Sequence, residues 1–353
     1  MRFMAAFLVV IRHARMASFA VYHSLVGKNF FSLLLFAATK WGPDAVVFFF
    51  VLSGFLVGGR TLERIADGRF RPAHYAVDRV VRIMLPLVPA LALTAVIDAA
   101  TRGGFNVVNL LGNIVSLQGV LVHPFGGNLP LWSLAYEWWF YVLAWAIGIA
   151  AARRSLQFQS AGLLVATAAV FTALSALYLF CWLIGAFAYV RRARAPSLPV
   201  LLFSLALCLV GLAGGQAHCS FFPMSARAYF PTGRISIIIL ATGLALLIQQ
   251  AVCAVPRKLF LVKLDVIGTR LAASSYSLYL SHFPVLQLMV WLGVKKARHV
   301  GPASIGIYLS LIAMCLIVSW FLYLLFERHT NFFRQMIKER IRVLQPSETG
   351  ARR

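Results

Sequence analysis

Ten apolar runs follow one another along this chain with little between them. They lie near residues 3–23, 43–59, 83–100, 131–151, 161–177, 178–190, 197–215, 234–254, 272–294 and 303–326. A helix crossing a hydrocarbon core of about 30 Å needs about 20 apolar residues, so the chain is predicted to be an all-α, polytopic membrane protein of about ten transmembrane helices. The fifth and sixth runs form one stretch, 161–190, which is divided because a single helix of that length would overshoot the bilayer. The stretch 105–122 is apolar but broken by Asn106, Asn109, Gly112, Asn113 and Gln118, and is expected to lie along an interface.

Composition excludes the other classes. Of 353 residues, 61% are hydrophobic and 12% charged, with a mean hydropathy of +0.83. A soluble chain averages roughly 45–50% apolar and about 25% charged. A soluble enzyme, a coiled coil, a disordered chain and a disulfide scaffold are all ruled out. The five cysteines show no CxxC spacing, so they read as small packing residues, with neither a disulfide framework nor a metal site expected. Residues 1–330 are expected to form the membrane domain and 331–353 a basic cytoplasmic tail.

The net charge of +23 is mostly topological. With the N-terminus inside, 23 of the 33 Lys and Arg residues fall on cytoplasmic segments, eight on outer loops and two within the first run. That bias puts both termini in the cytoplasm. Spread over six segments without an aromatic-lined groove, these cations do not suggest nucleic acid. The N-terminal run is read as a helix rather than a signal peptide, because Arg12-His13-Ala14-Arg15 interrupts it after nine apolar residues and no small-residue cleavage site follows.

Ionisable groups within the membrane are costly and mark function. The first run carries Arg12, His13, Arg15 and His23, so other helices must shield it. Glu137 is the only acid in LWSLAYEWWFYVLAWAIG, and is expected to meet a cation or imidazole of another span, with His13, Arg12 and Arg15 as the available partners. Arg79 and Arg82 share a helix face three residues apart, suited to phosphate, or to anchoring at headgroups. Ser275 and His282, with Tyr279 nearby, share a face of a polar helix start, where helix packing through serine is the plain alternative.

These motifs resemble the acyltransferase-3 family of integral membrane acyltransferases along nearly the whole chain. Arg2 and His13 match its Arg-ten residues-His opening. Phe49-Phe50-Val51-Leu52-Ser53-Gly54-Phe55 matches its second helix, and Arg79, Arg82, Ile83 and Pro86 match its basic pair. Trp132-Ser133-Leu134, Glu137 and Phe140-Tyr141 match the next motif, residues 275–284 a later one, and Phe326-Glu327-Arg328 the closing signature. The departures are Arg12 at a usually apolar position and Val47 where many members have Asp. Arg2 follows Met1 directly, whereas the family usually has several residues before its Arg, which leaves open whether the start lies further upstream. Only about 27 residues follow Phe326, so the membrane domain is expected to complete transfer itself or with a separate partner.

The resemblance implies O-acyl transfer, commonly of acetyl from acetyl-CoA, to a hydroxyl of a carbohydrate or glycosylated acceptor. O-antigen and exopolysaccharide are among the family's acceptors, and the implied location is a bacterial inner membrane. It implies that His13 is catalytic and that Arg2, Arg79 and Arg82 help bind the CoA donor. Glu137 is expected to orient His13. Arg12, Ser53, Tyr276 and His282 are further candidates, with Ser53 and Tyr276 as oxyanion or acceptor contacts. His13 lies about 16 Å deeper than Arg2 at 1.5 Å per residue, as base or as a covalent acyl carrier. Acceptor contacts are sought in loops 101–130 and 216–233, among Asn106, Asn109, His123, Asn128, His218 and Tyr229. The competing class is a transporter or flippase for a lipid-linked glycan, with His and Glu as a proton relay.

Overall fold

A computed structural model describes residues 1–153, 157–192, 195–221, 232–253, 266 and 268–344. Arg154, Arg194, Arg257, Lys258, Lys263, Tyr229, the side chain of His218 and the end of the tail from 345 lie outside the described residues. The chain is helical, with no strand among the described residues. The helices are α1 (Arg2–Ser18), α2 (Phe30–Ala38), α3 (Gly42–Ser53), which runs through a π turn (Gly54–Gly59) into α4 (Arg60–Ala66), α5 (Pro72–Arg102), α6 (Val107–Ile114), α7 (Leu131–Ala152), α8 (Phe158–Ala173), α9 (Ala176–Val190), α10 (Leu198–Phe221), α11 (Thr232–Cys253), α12 (Ser275–Trp291), α13 (Pro302–Leu325) and α14 (Thr330–Leu344).

Six stretches among the described residues are long and apolar enough to cross a membrane: Phe30–Ala66, Pro72–Arg102, Leu131–Ala152, Leu198–Ala217, Thr232–Cys253 and Pro302–Val343. The other four expected spans coincide with shorter helices, α1 and α12 of 17 residues, α8 of 16 and α9 of 15. Leu202, Phe203 and Leu209 on α10, with Ile317 and Phe321 on α13, are exposed, as lipid-facing side chains are. The stretch 161–190 does break, at Leu174 and Ser175, which are extended. The Ser175 N–H that the break releases donates to the Tyr136 hydroxyl at 2.9 Å, as backbone at membrane depth must.

The first helix is shielded as its polar content requires, because it packs between α3, α12 and α13. Ala5, Ala6, Val9, Val10, Ala14 and Ala17 are buried there, and small side chains let those helices come close. It is shorter than expected. Phe19 is extended, and Ser18 and Ala20 pair with Ala297 beyond α12 (2.8 and 3.0 Å). His23 therefore sits in a 3-10 turn outside the helix, not in the span.

Glycines govern the contact of α3 and its π turn with α9. A side chain at Gly54 would run into the Trp182 carbonyl, one at Gly185 into the Val51 carbonyl, and one at Gly59 into Tyr189. Association of helices in lipid rests on such close backbone approach, so Gly54 of the second motif is a packing residue. The polar residues between α5 and α7 are also structural. Asn113, fully buried, donates to Asn109 and His123 carbonyls (2.7 and 2.9 Å) and accepts from the Phe125 N–H at 3.1 Å. Within 105–122 only Val107–Ile114 is helical. After α13, the amphipathic α14 lies against α5, held by Asp78, which pairs with Arg334 (3.2 Å) and Lys338 (2.6 Å).

Candidate active site

Two cavities lie at opposite ends of α1, α5 and α12. One, of about 440 Å³, takes Arg2 from the start of α1, Arg79 and Arg82 from α5, and Ser275, Tyr276 and Tyr279 from the start of α12. The other, of about 500 Å³, takes His13 and Ala17 from α1, Asp98 and Arg102 from α5, and Phe283, Gln287 and Trp291 from α12. In each helix the lower-numbered end serves the first cavity and the higher-numbered end the second, so the three run parallel. On α12 only Leu280, Ser281 and His282 separate the residues of one cavity from those of the other, about one helical turn.

The first cavity is basic. Arg60 and Arg334 join Arg2, Arg79 and Arg82, so five guanidinium groups line it, against one carboxylate, Glu137. Arg82 is fixed by the closing signature: its Nη1 donates to Glu327 Oε1 at 3.1 Å. The Glu327 carboxylate is 1% exposed and its other oxygen accepts from the Ser277 N–H (2.9 Å) and hydroxyl (2.7 Å). Ser277 is in the first turn of α12, whose amide hydrogens have no partner within the helix. Glu327 therefore caps α12 and orients Arg82 together. Arg79 differs. It lies over the rings of Tyr75 and Tyr141 at 5.8 and 5.4 Å, and its buried Nε has no hydrogen-bond partner among the described residues. The buried hydroxyl of Tyr276 is also without one. Such orphaned donors at a cavity wall are what a bound anion satisfies.

Glu137 does not meet His13. Its carboxylate accepts from the hydroxyl of Tyr141, four residues on in the same helix, and it lines the basic cavity, whereas His13 lines the other. The partner of His13 is His282: Nδ1 of the first lies 2.9 Å from Nε2 of the second. Arg12 donates to the Lys40 carbonyl at 3.1 Å, and Arg15 lies 4.3 Å over the ring of Phe36. Ser53 lines the basic cavity and donates to the Tyr141 hydroxyl at 3.4 Å. The partition between the cavities is itself pinned, since the Tyr279 and Ser133 hydroxyls are 2.7 Å apart and Phe49 meets the Tyr279 ring edge-on at 5.7 Å.

The expected acceptor contacts are mostly structural. Asn106 caps α6, accepting from the Asn109 N–H at 2.9 Å. Asn128 is fully buried and donates to the Leu280 carbonyl at 3.0 Å. Pro284 has no N–H, so Leu280 has lost its helical donor, and Asn128 supplies one. The polar groups that do line the cavity with His13 are Asp98, Thr101, Arg102, Gln287 and Lys296, beside Trp291. Arg102 and Asp98 are paired at 2.9 Å.

Apolar helices thus enclose an arginine-lined cavity on one side and, on the other, a cavity reached by His13, which is hydrogen-bonded to the buried His282: the arrangement of a membrane protein with an internal polar site. Residues 1–336 match the sequence profile of the acyltransferase-3 family, described as an acyltransferase domain (Acyl_transf_3). The chain belongs to that family and is a multi-pass membrane acyltransferase. Neither the curated proteins nor the solved structures give a match.

Proposed function

We propose that this acyltransferase moves an acetyl group from acetyl-CoA to a hydroxyl of a carbohydrate or glycosylated acceptor, such as O-antigen or exopolysaccharide, in the bacterial inner membrane with both termini in the cytoplasm. The observation that carries the proposal is the pair of cavities meeting within one turn of α12, with arginines on one side and His13 on the other. CoA carries a pyrophosphate and a 3′-phosphate, and five arginines against one carboxylate match a ligand of several phosphates better than one of a single charge. Arg2, Arg79 and Arg82 hold the phosphates, and Arg60 and Arg334 complete the ring around them. The uncharged pantetheine arm then extends beside Phe49 and Tyr279, bringing the thioester to the partition. Glu137 faces that arm and accepts from its amide N–H groups.

The acceptor approaches from the opposite cavity, where Trp291 offers an apolar face to a sugar ring and Asp98, Gln287 and Lys296 offer hydrogen bonds to its hydroxyls. His13 takes the proton of the acceptor hydroxyl, the oxygen attacks the thioester carbonyl carbon, the C–S bond breaks, and the departing thiolate recovers the proton from His13. General-base assistance of this kind contributes about 10²–10⁴-fold. In the test, purified protein in nanodiscs is incubated with [14C]acetyl-CoA, without acceptor, and thiol release and label on protein are followed for the wild type and His13→Ala. Thiol release or labelling that depends on His13 is the expected result, and His13-bound label would assign a covalent carrier. Retained activity in His13→Ala would refute the assignment.

A further inference from the structure

His282 is a fully buried imidazole beside the partly buried His13, and its surroundings determine where its protons lie. Its Nδ1 is 3.0 Å from the Leu278 carbonyl oxygen. A carbonyl can only accept, so this nitrogen carries the hydrogen. The ring is fully buried, and no carboxylate is hydrogen-bonded to it among the described residues, so it is neutral. Its Nε2 then has a lone pair and no hydrogen. Among the described residues, the hydrogen-bond partner of that lone pair is His13 Nδ1, at 2.9 Å. The ring planes are within 8° of each other and the centroids 5.2 Å apart. That separation is close to the N···N distance plus a ring radius at each end, so the rings lie end to end in one plane, as an N–H aimed along a lone pair demands.

Resting on the reading of His13 as the group that takes the acceptor proton, we infer that His282 is a positioning residue that fixes the tautomer of His13, with hydrogen on Nδ1 and the lone pair on Nε2. The chain of donors runs from His13 Nδ1 to His282 Nε2 and from His282 Nδ1 to the Leu278 carbonyl. His13 Nε2 is the ring nitrogen left for the cavity. When it takes the acceptor proton, the positive charge that forms on His13 is met by the lone pair of His282, and the backbone carbonyl stabilises whatever share His282 takes up. A neutral imidazole backed by a helix carbonyl thus does the orienting that a carboxylate does in serine hydrolases. Two further contacts hold the device. Phe283 lies edge-on to His13 at 5.3 Å, and the thiol of Cys315 donates to the His282 carbonyl at 3.6 Å.

The deciding experiment is magic-angle-spinning NMR of the full chain in nanodiscs with ring-15N histidine, the His13 and His282 signals being assigned by their loss in His13→Ala and His282→Gln. Protonated Nδ1 and unprotonated Nε2 on both rings, with a correlation between His13 Nδ1 and His282 Nε2, is expected; a His13 ring protonated on Nε2 would overturn the inference. Turnover of [14C]acetyl-CoA supplies the second arm. His282→Leu, which leaves His13 free to carry its proton on either nitrogen, is expected to lower kcat about 10–100-fold with KM unchanged, because a general base works through one correctly placed lone pair. His282→Gln, whose amide oxygen can accept from Nδ1, is expected to regain part of that loss. Equal losses in Leu and Gln would mark His282 as merely structural and overturn the inference. A wild type inert toward acetyl-CoA would instead refute the donor assignment, while the NMR arm still decides the pairing.

Discussion

Arg79 and Arg82 stand three residues apart in one helix, line one cavity and carry the same charge, yet their replacement by glutamine has different expected consequences. Arg82 is the partner of a carboxylate that is 1% exposed, and removing one member of a buried pair costs about 3–5 kcal/mol because the other charge is left uncompensated. Glu327 keeps its two bonds from Ser277, so the lower end, about 3 kcal/mol, applies. That corresponds to a loss of melting temperature on the order of 5 °C. Arg79 has no ion pair among the described residues and a buried Nε without a partner, so Arg79→Gln strands no charge and costs the fold less, about 0.5–2 kcal/mol for its place over the Tyr75 and Tyr141 rings. What it removes is a charge-assisted contact to the donor, worth about 1.5–3 kcal/mol, a rise in the dissociation constant of about 10–150-fold. The assay is titration of purified protein in nanodiscs with CoA, beside a melting curve for each variant. Adding Glu327→Gln to Arg82→Gln should return part of the lost stability, because the stranded charge is gone. Equal melting temperatures for Arg79→Gln and Arg82→Gln, or an unchanged affinity in Arg79→Gln, would refute the reasoning.

Three further outcomes are expected. Asp78→Asn releases Arg334 and Lys338, so α14 should loosen and the KM for acetyl-CoA rise several-fold although Asp78 does not line the cavity; an unchanged KM would exclude Arg334 from donor binding. Gly185→Leu drives a side chain into the Val51 carbonyl and should lower thermal stability by more than the roughly 1–3 kcal/mol usual for overpacking; a stable, active variant would contradict the α3–α9 contact. Asn128→Ala leaves the Leu280 carbonyl without its donor, at a cost of about 1–3 kcal/mol, and should lower the melting temperature while leaving CoA affinity intact. A fall in CoA affinity would mean that Asn128 acts beyond propping α12.

The helices were legible because apolar runs set by bilayer thickness are long and separated by basic turns, and because a polar first run demands shielding. Their ends were less so. Helix α5 begins eleven residues before the run at 83–100, since Arg79 and Arg82 continue the helix into the basic cavity, and the nine-residue α2 is too short to register as a span. Charge counting treats every arginine at the inner edge alike, so it found the Arg79 and Arg82 pair by its spacing but left Arg60 and Arg334 among the anchors. The partner of His13 was missed for a physical reason. Pairing opposite charges favours Glu137, whereas His282 is neutral and 269 positions away. The actual partner of Glu137, Tyr141, was available from the four-residue helical spacing alone. The closing Glu327 read as a signature without a task, because the cap it provides for α12 is a tertiary contact 50 positions back.

The most direct test of the two-cavity account is a cryo-EM structure of the protein in nanodiscs with a non-hydrolysable acetyl-CoA analogue. The phosphates are expected among Arg2, Arg60, Arg79, Arg82 and Arg334, the pantetheine arm passing Tyr279, and the thioester carbonyl carbon placed so that an acceptor oxygen hydrogen-bonded to His13 Nε2 would lie about 3–3.5 Å from it. A nucleotide bound in the cavity of Asp98 and Trp291, or a thioester that stays on the far side of Tyr279 from His13, would contradict it.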